Sequence, residues 1–210
     1  MADFNALLSG YRRFRETGWK HERDRWAALA EAQSPKVMVI ACSDSRVDPA
    51  TIFDTSPGEM FVVRNIANLV PPFEVGGGRH GVSAALEFAV TQLEVPEIVV
   101  MGHGQCGGVD AALSRRLEHA PPGAGGFIAH WIDLLDGARD RITAELGTGP
   151  EALRALELET VRLSLDNLRT FPAIREREAA GRLALHGAYF AIADGRLHLL
   201  DEATGEFAPA

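Results

Sequence analysis

Val37-Met38-Val39-Ile40-Ala41-Cys42-Ser43-Asp44-Ser45-Arg46 opens on five apolar residues, three of them β-branched, and then turns within one step to thiol, hydroxyl, carboxylate and guanidinium. A short apolar run without alternation reads as a strand covered on both faces, the kind that parallel sheets use. The same change of character recurs where Ile98-Val99-Val100-Met101-Gly102 gives way to His103-Gly104-Gln105-Cys106-Gly107-Gly108. In an open α/β sheet the residues just beyond the carboxyl ends of the strands line one crevice. These two stretches can therefore bring Cys42, Cys106, His103, Asp44 and Arg46 together.

Two thiolates and an imidazole make a soft ligand set suited to zinc, and three protein ligands leave a fourth position for water or substrate. His103 stands three residues before Cys106, the local pairing that a chelating turn needs. A Cys42–Cys106 disulfide and two unrelated buried thiols are the plain alternatives, since buried cysteine is common. Gly102, Gly104 and Gly107 also fit Gly-x-Gly-x-x-Gly after a strand. That fingerprint belongs to the first βα unit and needs an acidic residue about twenty positions on, where this chain has Ala124–His130 without one. A tight turn that lets backbone approach a metal explains the glycines better.

The 210 residues can bury one substantial core and predict a single domain over 1–210. A formal net charge of −8 without basic runs argues against nucleic acid or an anionic membrane as partner. The apolar runs are shorter than a membrane span. Met1-Ala2-Asp3-Phe4-Asn5 resembles neither a signal nor a transit peptide, and two cysteines in metal-like placement suit a reducing cytoplasm.

Phe4, Leu7, Leu8, Tyr11 and Phe14, then Trp19, Trp26 and Leu29, follow helical spacing. They predict a helical arm over 1–34 whose aromatics cover either the chain's own core or a second subunit. Strands are expected at Val37–Ala41, Glu59–Arg64, Ile98–Gly102, Leu183–Ile192 and Arg196–Leu200, the last pair joined through Asp194-Gly195, a hairpin signal. Helices fit Gly81–Leu93, Val109–Leu117, Phe127–Leu146 and Glu151–Leu168, with a short one from Phe171-Pro172. Loops are marked by Pro71-Pro72, by the run Gly76-Gly77-Gly78 and by Pro121-Pro122-Gly123. The expected fold is α/β: a mainly parallel sheet of four strands with a C-terminal antiparallel strand, helices on both faces and an N-terminal helical arm.

Cys42-Ser43-Asp44-Ser45-Arg46, the segment Phe61-Val62-Val63-Arg64-Asn65-Ile66-Ala67-Asn68-Leu69-Val70, and Gly102-His103 with Cys106-Gly107-Gly108 resemble the β-class carbonic anhydrases. The likeness is dense from Gln33 to Gly108 and thinner to Gly195. It implies one Zn2+ per chain on Cys42, His103 and Cys106, and an Asp44–Arg46 dyad beside the metal. The implied reaction is reversible hydration of carbon dioxide to bicarbonate and a proton by zinc-bound hydroxide. It further implies substrate contacts from Gln33, from an apolar pocket of Phe61, Ile66 and Phe88, and from the Gly107 N–H. Two thiolates weaken the Lewis acid, so activity should rise toward alkaline pH, and an Asp44 freed from Arg46 could itself close the fourth position.

Phe88 replaces a tyrosine found in many members. The bicarbonate-regulated type II subgroup uses tryptophan, arginine and tyrosine where this chain has Val39, Arg64 and Phe190. The resemblance therefore favours the plant-like, type I subgroup and an obligate homodimer or dimer of dimers. A carbon disulfide or carbonyl sulfide hydrolase on the same fold, or a catalytically silent zinc-stabilised binding protein, are the competing functions. The other histidines, His21, His80, His119, His130, His186 and His198, show no ligand spacing among themselves.

Overall fold

The computed structural model describes residues 3–76 and 78–210; Met1, Ala2 and Gly77, the middle of the glycine run noted above, lie outside the described residues. The chain divides into two compact units, one ending at Ser34 and one spanning Pro35–Ala210.

The first unit is helical, as the aromatic spacing predicts, but in three pieces: α1 (Phe4–Glu16), α2 (Gly18–His21) and α3 (Arg23–Glu31). Asp3 caps α1 by accepting the Ala6 N–H at 2.8 Å. The helix stops at Thr17, whose hydroxyl donates to the Arg13 carbonyl at 2.7 Å and competes with the next helical bond. Phe14 packs edge-on against Trp26, with ring centroids 5.6 Å apart.

In the second unit β1 (Val37–Cys42), β2 (Met60–Asn65), β3 (Glu97–His103), β4 (Ala184–Ala191), β5 (Arg196–Asp201) and β6 (Glu206–Pro209) form one sheet in the order β2-β1-β3-β4-β5-β6. The first four strands are parallel and the last two antiparallel. The parallel core and the antiparallel return after Asp194-Gly195 match expectation. The addition is β6, whose Glu206-Phe207-Ala208-Pro209 is too short and mixed to announce a strand and whose proline is tolerated because the strand is an edge. The chain runs from β1 outward to β2, then back past β1 to β3. Strand order therefore reverses between β1 and β3, and the crevice at their carboxyl ends is where an open sheet holds its ligand.

Alternation along the strands divides the core. Met38, Ile40, Ile98 and Val100 pack with Leu86, Val90, Val161, Leu165 and Leu168 on one face; Val39, Ala41, Met101 and Ala188 pack with Ile52, Phe53 and Phe190 on the other. Full burial of each such aliphatic side chain contributes about 1.5–3 kcal/mol, so truncating fully buried Ile98 to alanine would cost about 2–5 kcal/mol.

The helices are α4 (Pro49–Ile52), α5 (Gly81–Glu87), α6 (Gly107–Ser114), α7 (Gly126–Ile132), α8 (Asp136–Leu146), α9 (Pro150–Leu168) and α10 (Pro172–Ala179). Two expected helices are irregular. The one from Gly81 widens to a π-helical turn over Phe88–Gln92, where Ala89 and Val90 are both buried while Phe88 stays exposed. The expected helix Phe127–Leu146 is interrupted by a 3₁₀ turn at Asp133–Leu135. Ile132, Leu135 and Ala138, three apart and all buried, explain it: 3₁₀ geometry aligns positions i and i+3 on one face.

Candidate metal centre

Cys42 is the last residue of β1, His103 the last of β3, and Cys106 the N-cap of α6. Their ligand atoms all lie within 4.8 Å of one another, and all three residues are buried. The two sulfurs are 3.9 Å apart, far beyond a disulfide bond of about 2.05 Å. Both thiols are free.

The group is held in a rigid frame. His103 Nδ1 lies 2.9 Å from the Gly104 carbonyl, which fixes it as the N–H donor and leaves Nε2 its lone pair. That Nε2 is buried without a hydrogen-bond partner. A buried orphan of this kind costs about 1–3 kcal/mol unless something completes it. Gln105 bends the turn with a φ of +55°, and the Cys106 N–H donates to Glu157 Oε1 at 3.0 Å. On the other side Ser43 N–H donates to the Asn65 carbonyl at 2.7 Å. Arg64 reaches across to the carbonyls of Cys42 at 2.9 Å and Asp44 at 2.6 Å, and to the Asp48 carboxylate at 3.1 Å.

Electrostatics follow from the crowding. A hydrogen bond between the thiols pushes Cys42 down to about 4, against burial, while the same contact and burial push Cys106 up. One thiolate accepting the other's S–H is stable, whereas two at this separation repel, so the pair shares one proton. Burial opposes the charged form of His103, yet the Cys42 thiolate beside it raises the ring's pKa overall. A dication relieves the thiolate repulsion and takes the orphaned Nε2. Two thiolates and one neutral imidazole match zinc in softness and number and leave a fourth position open; the residues fit the ion.

Asp44 and Arg46 form a two-pronged pair beside this group: Nε donates to Oδ1 at 2.9 Å and Nη2 to Oδ2 at 2.7 Å. The Arg46 N–H adds a bond to Oδ1 at 3.0 Å, and Nη2 also reaches the Gln105 carbonyl at 3.0 Å, tying the two strand-end loops together. The Arg46 guanidinium holds the Asp44 carboxyl well below the usual carboxylate range.

Of the other expected residues, Ile66 and Gly107 lie at this centre. A Cβ on Gly108 would meet Ile66 Cγ2 at 2.6 Å, so glycine there lets the turn through Ile66 close on α6, and in front of Gly107 nothing lies within 4 Å. A groove of about 690 Å³ leads from Ser43, Asn65 and Ile66 past Pro72 and His80 to Trp131. Phe61 and Phe88 stack on each other at 5.9 Å but elsewhere. In the β1–β2 register Phe61 stands opposite Met38 while Asn65 stands opposite Cys42, so Phe61 is about 13 Å down the strand. Gln33 is an exposed residue of the N-terminal unit.

Sequence reading passed over the residues behind the centre. Glu157, Thr160 and Ser164 of α9 are buried; Glu157 is hydrogen-bonded to the Cys106 turn, and Thr160 and Ser164 to Asn68 in the segment after β2. Tyr189 Oη donates to Glu157 Oε2 at 2.8 Å. The available signal was polar residues at helical spacing among Leu156, Val161, Leu165 and Leu168, the apolar face of that helix.

The carbonic anhydrase family matches residues 37–197. Beta carbonic anhydrase 6, mitochondrial, of Arabidopsis thaliana is 38% identical over 186 residues, 87% of this chain; the chain spans 62% of that relative's length. Among solved structures, the β-carbonic anhydrase CcaA superposes with a TM-score of 0.89 at 31% identity, covering 98% of this chain and 91% of CcaA. A tetrameric β-carbonic anhydrase from Sordaria macrospora does so with a TM-score of 0.78 at 30% identity, covering 94% and 96%. A matched region that takes in both strand-end motifs, on a sheet whose order reverses between them, places the chain in the β-class carbonic anhydrase family.

Proposed function

We propose that this chain catalyses the reversible hydration of carbon dioxide to bicarbonate and a proton. The observation that carries the proposal is the buried Cys42, His103 and Cys106 group with an unpartnered His103 Nε2, set beside a bidentate Asp44–Arg46 pair in a member of this family. Cys42, His103 and Cys106 would hold one zinc ion, which when bound supplies the Lewis acid that acidifies water at neutral pH.

The chain's own residues then have distinct tasks. Asp44 stays ionised and, through an oxygen's spare lone pair, can accept a hydrogen bond from water at the centre and so orient it. Arg46 fixes its orientation and, by holding both oxygens, keeps the carboxylate from turning onto the metal. Ile66 offers an apolar wall to a linear, uncharged substrate, and the absence of a side chain at Gly107 leaves room for it before a first-turn N–H of α6 that has no helical acceptor.

Phe61 and Phe88 fit a substrate pocket if it forms between two copies, because within one chain they lie far from the cysteines. That separation supports a homodimer or dimer of dimers in which Gln33 and the aromatic pair serve a neighbour's centre; the relative from Sordaria macrospora is tetrameric. The plant-like, type I reading is supported by Arg64, whose guanidinium is occupied by three carbonyls and Asp48 and is not free for a regulatory anion. Val39 and Phe190 pack there in an apolar cluster with Ala41, Met101 and Ala188. No described helix is long and apolar enough to cross a membrane. The cytoplasmic reading rests on two free thiols, which suit a reducing compartment.

Stopped-flow carbon dioxide hydration between pH 6.5 and 9, with zinc content measured on the same sample, tests the proposal. Fast hydration at about one zinc per chain is expected. Bound zinc without hydration at any pH would overturn it.

A further inference from the structure

We infer that Glu157 is a positioning residue of the metal centre: its carboxylate, braced by Tyr189, fixes the backbone of Cys106 and thereby the place of that sulfur. The inference rests on the reading of Cys42, His103 and Cys106 as a metal centre given above.

Glu157 is 3% exposed, in the middle of α9. A buried carboxylate is expensive to keep, and a leucine would fill the space without that cost. Both of its oxygens are instead spent on particular donors: Oε1 takes the Cys106 N–H at 3.0 Å and Oε2 the Tyr189 hydroxyl at 2.8 Å. The surroundings are cut to allow that reach. A Cβ on Gly102 would lie 2.8 Å from Val161 Cγ2, and one on Gly104 would lie 2.9 Å from Tyr189 Oη, so glycine at both positions lets α9 and Tyr189 close on the turn. Gln105, in the left-handed region, turns the next N–H toward the helix.

Tyr189 is itself immobilised. It pairs in register with Gly102, and the Arg154 guanidinium lies 3.5 Å over its ring, one helical turn before Glu157. The chain of contacts Arg154, Tyr189, Glu157, Cys106 thus runs from α9 to β4, back to α9 and on to one ligand. Cys42 has a side-chain brace of its own, Arg64 Nε donating to its carbonyl at 2.9 Å, whereas His103 is set by the neighbouring Gly104 carbonyl. Groups of this kind behind a ligand are worth about 10–100-fold in metal affinity.

The test separates geometry from charge. Glu157→Asp keeps the charge but withdraws the acceptor by one methylene, about 1.5 Å. Glu157→Gln keeps an oxygen at the same reach and loses the charge. Cobalt(II) and zinc affinities are measured by chelator competition, with the thiolate-to-cobalt absorption band as a spectroscopic readout and circular dichroism and thermal melts as fold controls.

Positioning predicts that Glu157→Asp loses about 10–100-fold in affinity with an altered band, while Glu157→Gln stays within a few-fold of the parent. A Glu157→Asp protein that binds as the parent does, or a Glu157→Gln protein that loses as much as Glu157→Asp, overturns the inference. Metal binding by the parent without carbon dioxide hydration would defeat the proposed function and leave this inference standing; a parent that binds neither metal defeats both.

Discussion

Two buried polar clusters lie close together behind the carboxyl ends of β1 and β3, and they differ in whether they are complete. In the first, Asn68 Nδ2 donates to Thr160 Oγ1 at 3.1 Å, Thr160 Oγ1 to the Glu157 carbonyl at 2.8 Å, and Ser164 Oγ to the Asn68 carbonyl at 3.1 Å while accepting the Val70 N–H at 3.1 Å. Donors meet acceptors throughout. In the second, His103 Nε2 has no partner, and the two sulfurs are free thiols 3.9 Å apart. Folding can retain a finished cluster as scaffold, because its desolvation is compensated. An unfinished one in a rigid frame is tolerated where something from outside completes it. The orphaned ring nitrogen, grouped with two free thiols, is what sets this cluster apart as a group that could hold a metal ion.

The largest expected effect breaks the unfinished cluster. Cys106→Ala removes one of three donors, leaving too few for a stable tetrahedral site. Metal content of the purified variant, measured by atomic emission, should drop to background together with hydration activity, while circular dichroism stays that of the parent. A variant that retained stoichiometric zinc would show that Cys106 is not a ligand. Next in size is Asp44→Asn, which leaves the ligands alone but deprives the centre of an ionised acceptor. Its kcat/KM should fall by about 10²–10⁴-fold with zinc content unchanged. Unaltered kcat/KM would take Asp44 out of the reaction.

The finished cluster responds through stability instead. Ser164→Ala strands the Val70 N–H and weakens the hold on the Asn68 carbonyl, both deep in the core. A cost of about 1–3 kcal/mol follows, or roughly 2–4 °C in Tm for each kcal/mol in a protein of this size. If the melting curve does not move, the claim that α9 pins the segment over Asn68 and Val70 fails. Metal affinity should change less here than for Glu157→Asp, because Ser164 reaches no ligand residue.

The two clusters were unequally legible. Cys42, Asp44, Arg46, His103 and Cys106 follow directly on apolar strands, and the rule that strand ends share a crevice was enough to assemble them. The parallel order and the antiparallel return were legible for the same reason: β-branched runs and Asp194-Gly195 are local signals. The scaffold was not. Glu157, Thr160 and Ser164 lie in a stretch read as an ordinary amphipathic helix, and which of its polar residues turn inward depends on where α9 lands against β3 and β4, a long-range outcome. The left-handed backbone at Ala67 and Gln105 was equally hidden, for neither is a residue type that favours a positive φ. The split of the Phe127–Leu146 helix had the same origin, since the core chose a spacing of three over the continuous helical register.

Arg46→Ala sharpens the comparison at its smallest scale, because the Asp44–Arg46 pair belongs to neither cluster: it is complete, yet the arginine side chain is 45% exposed. Solvent screens such a pair, so its contribution to stability is small even with two good hydrogen bonds. Its pH dependence is nonetheless defined. The folded carboxyl is held below its ordinary pKa of about 3.9, so the unfolded chain takes up the proton first as pH falls. The pair's contribution is fully present above that value and is lost progressively below it. Urea unfolding of the metal-free parent and Arg46→Ala proteins should give a small gap at pH 6 that begins to narrow as pH falls below about 4 and goes on narrowing toward the lower pKa of the folded carboxyl. A gap that did not narrow at all as pH fell below about 4 would mean that Arg46 stabilises the loop mainly through the Gln105 carbonyl, which does not titrate, and that the dyad is more bracket than ion pair.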